Sequence, residues 1–137
     1  MKLRNVPFSP PDMTEAEAAE VRDAILSGWI TTGPRTKKLE KEVAAFVGVD
    51  KAVCLGSQTA CGEMALRLLG IGAGDEVIVP AYTYTASASV VTHVGATLVF
   101  VDVQKDCLEM DYEAVERAIT QRTKAIIPVD LAGIPSA

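Results

Sequence analysis

Apolar positions change their period partway along this chain. Between Thr14 and Gly48 they recur at three- and four-residue intervals, the spacing of amphipathic helices. Beyond residue 50, short Val/Ile-rich runs alternate with helical stretches, the pattern of βαβ units. Thr14 with Glu17 three residues on forms a capping box that opens a first helix. That helix is expected to bury Val21, Ala24 and Ile25 on one face and to stop near Gly28. The stretch from Trp29 to Pro34 reads as a loop whose Gly-Pro step suits a fresh helix start. A second helix places Leu39, Val43 and Phe46 on one stripe and ends at Gly48. Residues 1–11, with three prolines and little periodicity, read as an extended arm.

The second part is regular. Ala52-Val53-Cys54-Leu55 is expected to be a short buried strand ending at Gly56, followed by a helix from Thr59 to Leu69. Further strands are expected at Glu76–Pro80, Thr97–Val101 and Ala125–Val129. Between them lie a small-residue helix over 83–94 and a helix capped by Asp111 that runs through Ile119. Ala132 to Ala137 run into a turn. Four such strands separated by helices imply a three-layer α/β architecture with a mostly parallel sheet. One incomplete domain is expected, with an amino-terminal arm and helices over 1–50 and a βαβ portion over 51–137. The chain halts just past a strand, without the crossover helix such a unit normally continues into.

Composition narrows the partners. With 13 basic and 18 acidic residues, a net charge of −5 and no basic block, neither nucleic acid nor an anionic membrane is an expected partner. Three cysteines (Cys54, Cys61, Cys107) without paired spacing and a single histidine, His93, argue against disulfides and against a zinc site. The chain begins without a charged-then-apolar leader, and no apolar run approaches the ~20 residues that span a membrane. A reduced, cytoplasmic protein is expected.

Candidate chemistry lies where strands give way to helices, because ligands of open α/β sheets collect at the carboxyl ends of the strands. In Leu55-Gly56-Ser57-Gln58-Thr59-Ala60 a strand is expected to lead into a helix. A helix start offers unpaired N–H groups and a positive dipole end, which bind phosphate without a lysine. Ser57 and Thr59 add hydroxyl donors, although either is also an ordinary N-cap. Pro80-Ala81-Tyr82-Thr83-Tyr84 occupies the equivalent place after the next strand. Its two tyrosines offer a flat face for a planar ligand or, alternatively, cover the helix–sheet seam. Neither glycine cluster is a nucleotide motif: Gly56 to Gly62 lacks a following Lys-Ser/Thr pair, and Gly70 to Gly74 follows a helix rather than a strand. His93 reads as structural. The acidic loop of Asp102, Asp106, Glu109 and Asp111 reads as a solvated connection, and Asp130 is expected to face the strand ends.

Several of these segments together resemble the DegT/StrS family of sugar aminotransferases. The resemblance rests on Trp29-Ile30-Thr31-Thr32-Gly33-Pro34 with Leu39-Glu40, and on Ser57-Gln58-Thr59-Ala60. It extends to Gly70 through Pro80, the Thr83-Tyr84 pair and Arg122 through Val129, in one register over nearly the whole chain. It implies the aspartate-aminotransferase type of fold (PLP fold type I) and pyridoxal 5'-phosphate as cofactor. The implied reaction transfers an amino group, often from glutamate, to a nucleotide-linked keto sugar, in a homodimer with shared active sites. Some relatives use the same cofactor for sugar dehydration. By this resemblance Ser57, Gln58, Thr59 and Ala60 hold the cofactor phosphate, Tyr84 stacks on the pyridine ring, and Thr31 and Gly33 lie on the substrate side.

Three positions depart from the family pattern: Gln58 stands where glycine is usual, Gly62 where a large apolar residue is usual, and Ala73 where proline is common. The family's ring-nitrogen aspartate and its cofactor-bonding lysine belong to a continuation beyond this length. Lys2, Lys37, Lys38, Lys41, Lys51, Lys105 and Lys124 match other parts of the pattern, so no catalytic residue is assigned in the chain, which is expected to be inactive alone. A non-catalytic phosphate-ligand or dimerisation module is the alternative expectation.

Overall fold

The computed structural model describes Asn5, Pro7 and residues 9–135, so most of the expected arm lies outside the described residues. The chain forms two compact units, which divide between Cys54 and Leu55.

The first unit holds helices α1 (Glu15–Leu26) and α2 (Pro34–Val47). The capping box forms as the sequence predicts: the Glu17 carboxylate accepts from the Thr14 N–H at 2.6 Å, and the Thr14 hydroxyl accepts from the Ala16 N–H at 3.2 Å. Pro34 occupies the first position of α2, where its missing N–H costs nothing, and Gly48 closes α2 at φ 78°.

Burial differs from expectation here. No residue of α1 is buried, and Val21 and Ile25 are exposed while Ala24 is half-buried. On α2 only Ala44 is buried; Leu39 and Val43 are exposed, and Phe46 is 92% exposed. Periodicity identifies the apolar face of a helix, but burial requires a surface to set against it, and among the described residues of this unit none covers these stripes. The expected buried strand at Ala52–Leu55 is also absent: the segment is irregular, and Val53 is 74% exposed. A strand needs a neighbouring ladder, and no described strand pairs with it. Instead the Cys54 N–H donates to the Glu40 carboxylate at 2.9 Å, anchoring the segment to α2.

The second unit is a three-layer parallel α/β assembly. Its elements are α3 (Gln58–Leu68), β1 (Glu76–Pro80), α4 (Thr85–His93), β2 (Thr97–Val101), α5 (Tyr112–Ala118) and β3 (Thr123–Ile126). A short 3-10 turn follows at Leu131–Gly133. The sheet order is β2-β1-β3 with both pairings parallel, so β1 is central and all five of its residues are buried. Alternation along β1 divides the core. Val77 and Val79 pack with Leu66, Ile71, Val90 and Val91 on the α3/α4 side. Ile78 packs with Val101, Met110 and Val115 on the α5 side. The last strand, expected at Ala125–Val129, instead covers Thr123–Ile126, starting two residues earlier and ending three earlier, although the Ile127 N–H still donates to the Ile78 carbonyl at 2.9 Å. In the Gly70–Gly74 turn, Gly70 (φ 72°) and Gly74 (φ 95°) adopt the left-handed region, as expected of a helix-to-strand connection.

Candidate cofactor site

The two candidate segments of the second unit lie at one end of the molecule's only described sheet. Gly62 of α3 lies against Val90 of α4, where a Cβ at Gly62 would stand 3.4 Å from the nearest Val90 methyl. One step further on, Glu63 Oε2 pairs with His93 Nδ1 at 3.0 Å. Arg67 Nη2 donates to the Glu63 carboxylate at 2.7 Å and to the His93 carbonyl at 3.3 Å. These contacts advance together along both helices, so α3 and α4 run side by side in the same direction. Four residues separate the end of β1 from the start of α4, so both helix starts lie at the carboxyl end of that strand.

At the α3 start the hydrogen bonds can be followed donor by donor. Ser57, the N-cap, accepts from the Ala60 N–H at 3.1 Å through its hydroxyl oxygen, and its carbonyl accepts from the Cys61 N–H at 3.1 Å. The hydroxyl hydrogen of Ser57 therefore remains available. Among the described residues the Gln58 and Thr59 N–H groups and the Thr59 hydroxyl have no partner. Four donors converge on one helix terminus, where the dipole favours an anion. Ala60, by contrast, spends its N–H on the cap, so of the four residues expected to hold phosphate it contributes backbone shape rather than a donor. Charge reinforces nothing here, since Arg67 lies at the other end of α3 and is paired with Glu63.

Tyr84 caps α4 through its backbone; the residue is 80% exposed and makes no side-chain cap bond. Tyr82 is exposed as well, so neither ring is buried in the helix–sheet seam, and a flat aromatic face is available at the same end of the sheet as the donor set. The turn between them is held by a 3.0 Å hydrogen bond between the Thr83 and Ser87 hydroxyls. The Ala81 N–H donates to the Val101 carbonyl at 2.7 Å, tying the carboxyl ends of β1 and β2 together. Asp130 sits past β3 and opens the 3-10 turn. Among the described residues no cluster of His, Cys, Asp or Glu could hold a metal ion. A phosphate-bearing planar group fits these residues: neutral donors for the anion at one helix start and a ring surface at the next.

Thr31 and Gly33 belong to the first unit, in the loop between α1 and α2. The Trp29 indole N–H donates to the Thr32 carbonyl at 3.2 Å, and the ring lies directly over Gly33. Sequence reading missed this contact, which lies within four residues but depends on how the indole folds back over the loop, and it missed the long-range link of His93 to the Glu63–Arg67 pair. His93 is nevertheless structural in the sense expected, an anchor for α3 at the end of α4 remote from the donors.

Comparison with known proteins bears on the whole constellation. A Streptococcus pneumoniae protein assigned as a sugar aminotransferase (Spr1654), solved in apo, PMP and PLP forms, is 62% identical with a TM-score of 0.89. The match covers 96% of this chain and 34% of the PLP-form chain. An aminotransferase from Psychrobacter cryohalolentis is 40% identical with a TM-score of 0.85, over 95% of this chain and 34% of that one. GDP-4-keto-6-deoxymannose-3-dehydratase, solved with a trapped PLP-glutamate geminal diamine, is 28% identical with a TM-score of 0.86, over 96% and 36%. The chain thus spans about a third of the length of the solved chains it matches. Its α/β fold with a parallel sheet matches part of the PLP fold type I aminotransferases. The model of the DegT/DnrJ/EryC1/StrS aminotransferase family matches residues 11–137, and the chain belongs to that family.

Proposed function

We propose that this chain provides the phosphate cradle and ring face of a pyridoxal 5'-phosphate-dependent sugar aminotransferase. The observation that carries the reading is the donor set at the start of α3: the Ser57 hydroxyl, the Gln58 and Thr59 N–H groups and the Thr59 hydroxyl, at the same end of the sheet as the exposed Tyr84. When bound, the cofactor supplies the electron-withdrawing ring that amino-group exchange requires. The chain's own residues anchor its phosphate and limit how the ring can tilt. The proposed acceptor is a nucleotide-linked keto sugar with Thr31 and Gly33 as substrate-side residues, glutamate is the amino donor, and the working form is a homodimer. A cytoplasmic location accords with three free cysteines and with the absence of a membrane-length apolar helix among the described residues.

None of the seven lysines takes the covalent role in this reading, so the 137 residues by themselves bind but do not transaminate. Lys124, for example, lies on β3 rather than beside the donor set. The dehydratase alternative is supported by a match at 28% identity, against 62% for the assigned sugar aminotransferase, which favours amino transfer.

Titration with pyridoxal phosphate, pyridoxal and inorganic phosphate tests the cradle. Charge-assisted hydrogen bonds contribute roughly 1.5–3 kcal/mol each before competing losses, so the phosphate should tighten binding by about tenfold or more over pyridoxal. Equal affinity for the two would overturn the reading. Borohydride treatment followed by mass spectrometry should find no specific cofactor adduct; a stoichiometric adduct on one lysine would overturn the inactive part.

A further inference from the structure

The loop between α1 and α2 has a steric feature that the family assignment does not account for. A Cβ built on Gly33 would stand 2.6 and 2.7 Å from Cδ1 and Cε2 of Trp29, closer than any side chain tolerates. Gly33 has φ −169°, outside the left-handed region that favours glycine, and the crowding against a side chain there comes from the indole. The same ring donates its N–H to the Thr32 carbonyl at 3.2 Å. Its own backbone N–H is fixed by the Ser27 hydroxyl at 3.2 Å, and that hydroxyl in turn donates to the Ala24 carbonyl at 2.7 Å. A chain of contacts therefore runs from the last turn of α1, through the indole, to the backbone just before α2. On the far side, the Gly33 carbonyl accepts from the Lys37 N–H at 3.0 Å, so the loop's end is set by the first turn of α2. Between these fixed ends, among the described residues, the indole N–H is the side-chain donor that holds the Thr32 carbonyl.

We propose that Trp29 is the positioning residue of this loop, its indole filling the space left by the missing Cβ of Gly33 and its N–H holding the Thr32 carbonyl, so that this pair sets how Thr31 and Gly33 are presented. The inference rests on the reading that these two residues face the substrate, and it adds a residue that acts through them without touching the reacting atoms. A nucleotide-linked sugar seated against the loop would then be sensed by the indole.

Trp29 is the only tryptophan in the chain, so its emission and its indole N–H resonance report on this contact alone. In the wild-type chain the Gly33 Hα resonances should be shifted upfield by the ring. Gly33→Ala should expel the indole, red-shifting its emission, raising its acrylamide quenching and moving its N–H resonance. Trp29→Phe keeps a ring but no donor; it should retain part of the Gly33 shift while changing the Thr31 and Thr32 amide resonances. Unchanged emission and N–H resonance in a folded Gly33→Ala chain would overturn the lock. If Gly33→Ala fails to fold, Trp29→Phe decides, and amide resonances of Thr31 and Thr32 identical to wild type would overturn it. The substrate-side reading fails separately: a uridine- or thymidine-diphosphate sugar that leaves the wild-type indole unmoved counts against that reading, whereas the Gly33→Ala result does not depend on it.

Discussion

Ser57 does two things with one hydroxyl. Its oxygen caps α3 through the Ala60 N–H, and its hydrogen is left for an anion. Ser57→Ala should cost about 1 kcal/mol of stability, the ordinary loss of an N-cap. It should also weaken pyridoxal phosphate more than pyridoxal; a stability loss with the phosphate preference intact would make Ser57 a cap only. Glu76 sits at the opposite end of β1, 4% exposed, and is the buried charged residue of the described core. Its carboxylate accepts from the Thr120 hydroxyl at 2.5 Å and from Arg122 Nε at 2.9 Å, bonds that hold its pKa below the ordinary 4.5. A carboxylate whose folded pKa is depressed contributes stability above its unfolded pKa, and that stability is lost as pH falls through the folded value. The midpoint of thermal unfolding should therefore fall steeply below about pH 4.5, and Glu76→Gln should flatten that fall while lowering stability at neutral pH. An acid limb of unchanged steepness in Glu76→Gln would show that other groups dominate it. The pairing of Glu76 with Thr120 and Arg122 crosses more than forty residues of sequence and has no local signature, whereas Ser57 is legible from its place before a helix.

The element boundaries follow from short-range chemistry and were readable. The Thr14–Glu17 box, Pro34 at the first position of α2, Gly48 beyond its end and Asp111 ahead of α5 all appear where the sequence puts them. Gly62 is an exception: it sits inside α3 facing Val90, in a place where a larger residue is usual in the family. A methyl group there would meet Val90 at 3.4 Å, an ordinary van der Waals distance, and glycine inside a helix costs up to ~1 kcal/mol relative to alanine. Gly62→Ala should accordingly raise the unfolding midpoint by a few degrees without altering cofactor affinity. A lower midpoint would mean that α3 and α4 cannot accommodate even that methyl. The strand expected at Ala52–Leu55 shows the limit of this level, because its apolar run supplies a strand's composition but not the neighbour that a ladder requires.

At the scale of the molecule, the second unit has buried apolar layers on both faces of β1, while the stripes of α1 and α2 stay exposed. Exposed Leu39, Val43, Phe46 and Val47 on one short helix form the kind of surface that monomeric proteins seldom leave open. If the homodimer belongs to this chain's function, sedimentation should show association that grows with concentration and weakens in Phe46→Glu. A single monomeric boundary across the whole range would remove these helices from the dimer proposal.

The sequence by itself determined the helix starts and stops, the three strands of the parallel sheet, the family, and the two segments that carry the candidate site. Each of these depends on residues close together in the chain or on motifs in fixed order, so caps, turns and periodicity suffice to reveal them. Only the tertiary structure decided which apolar stripes are covered, that Ala52–Leu55 is not a strand, and that the α3 and α4 starts share one end of the sheet. It also decided that Ser57, Gln58 and Thr59 keep free donors while Ala60 does not, and that an indole occupies the space over Gly33. The first three depend on which elements meet across the chain, and the last two on the folded path of a short loop and on which hydrogen bonds are already made, which residue types and spacing alone do not contain.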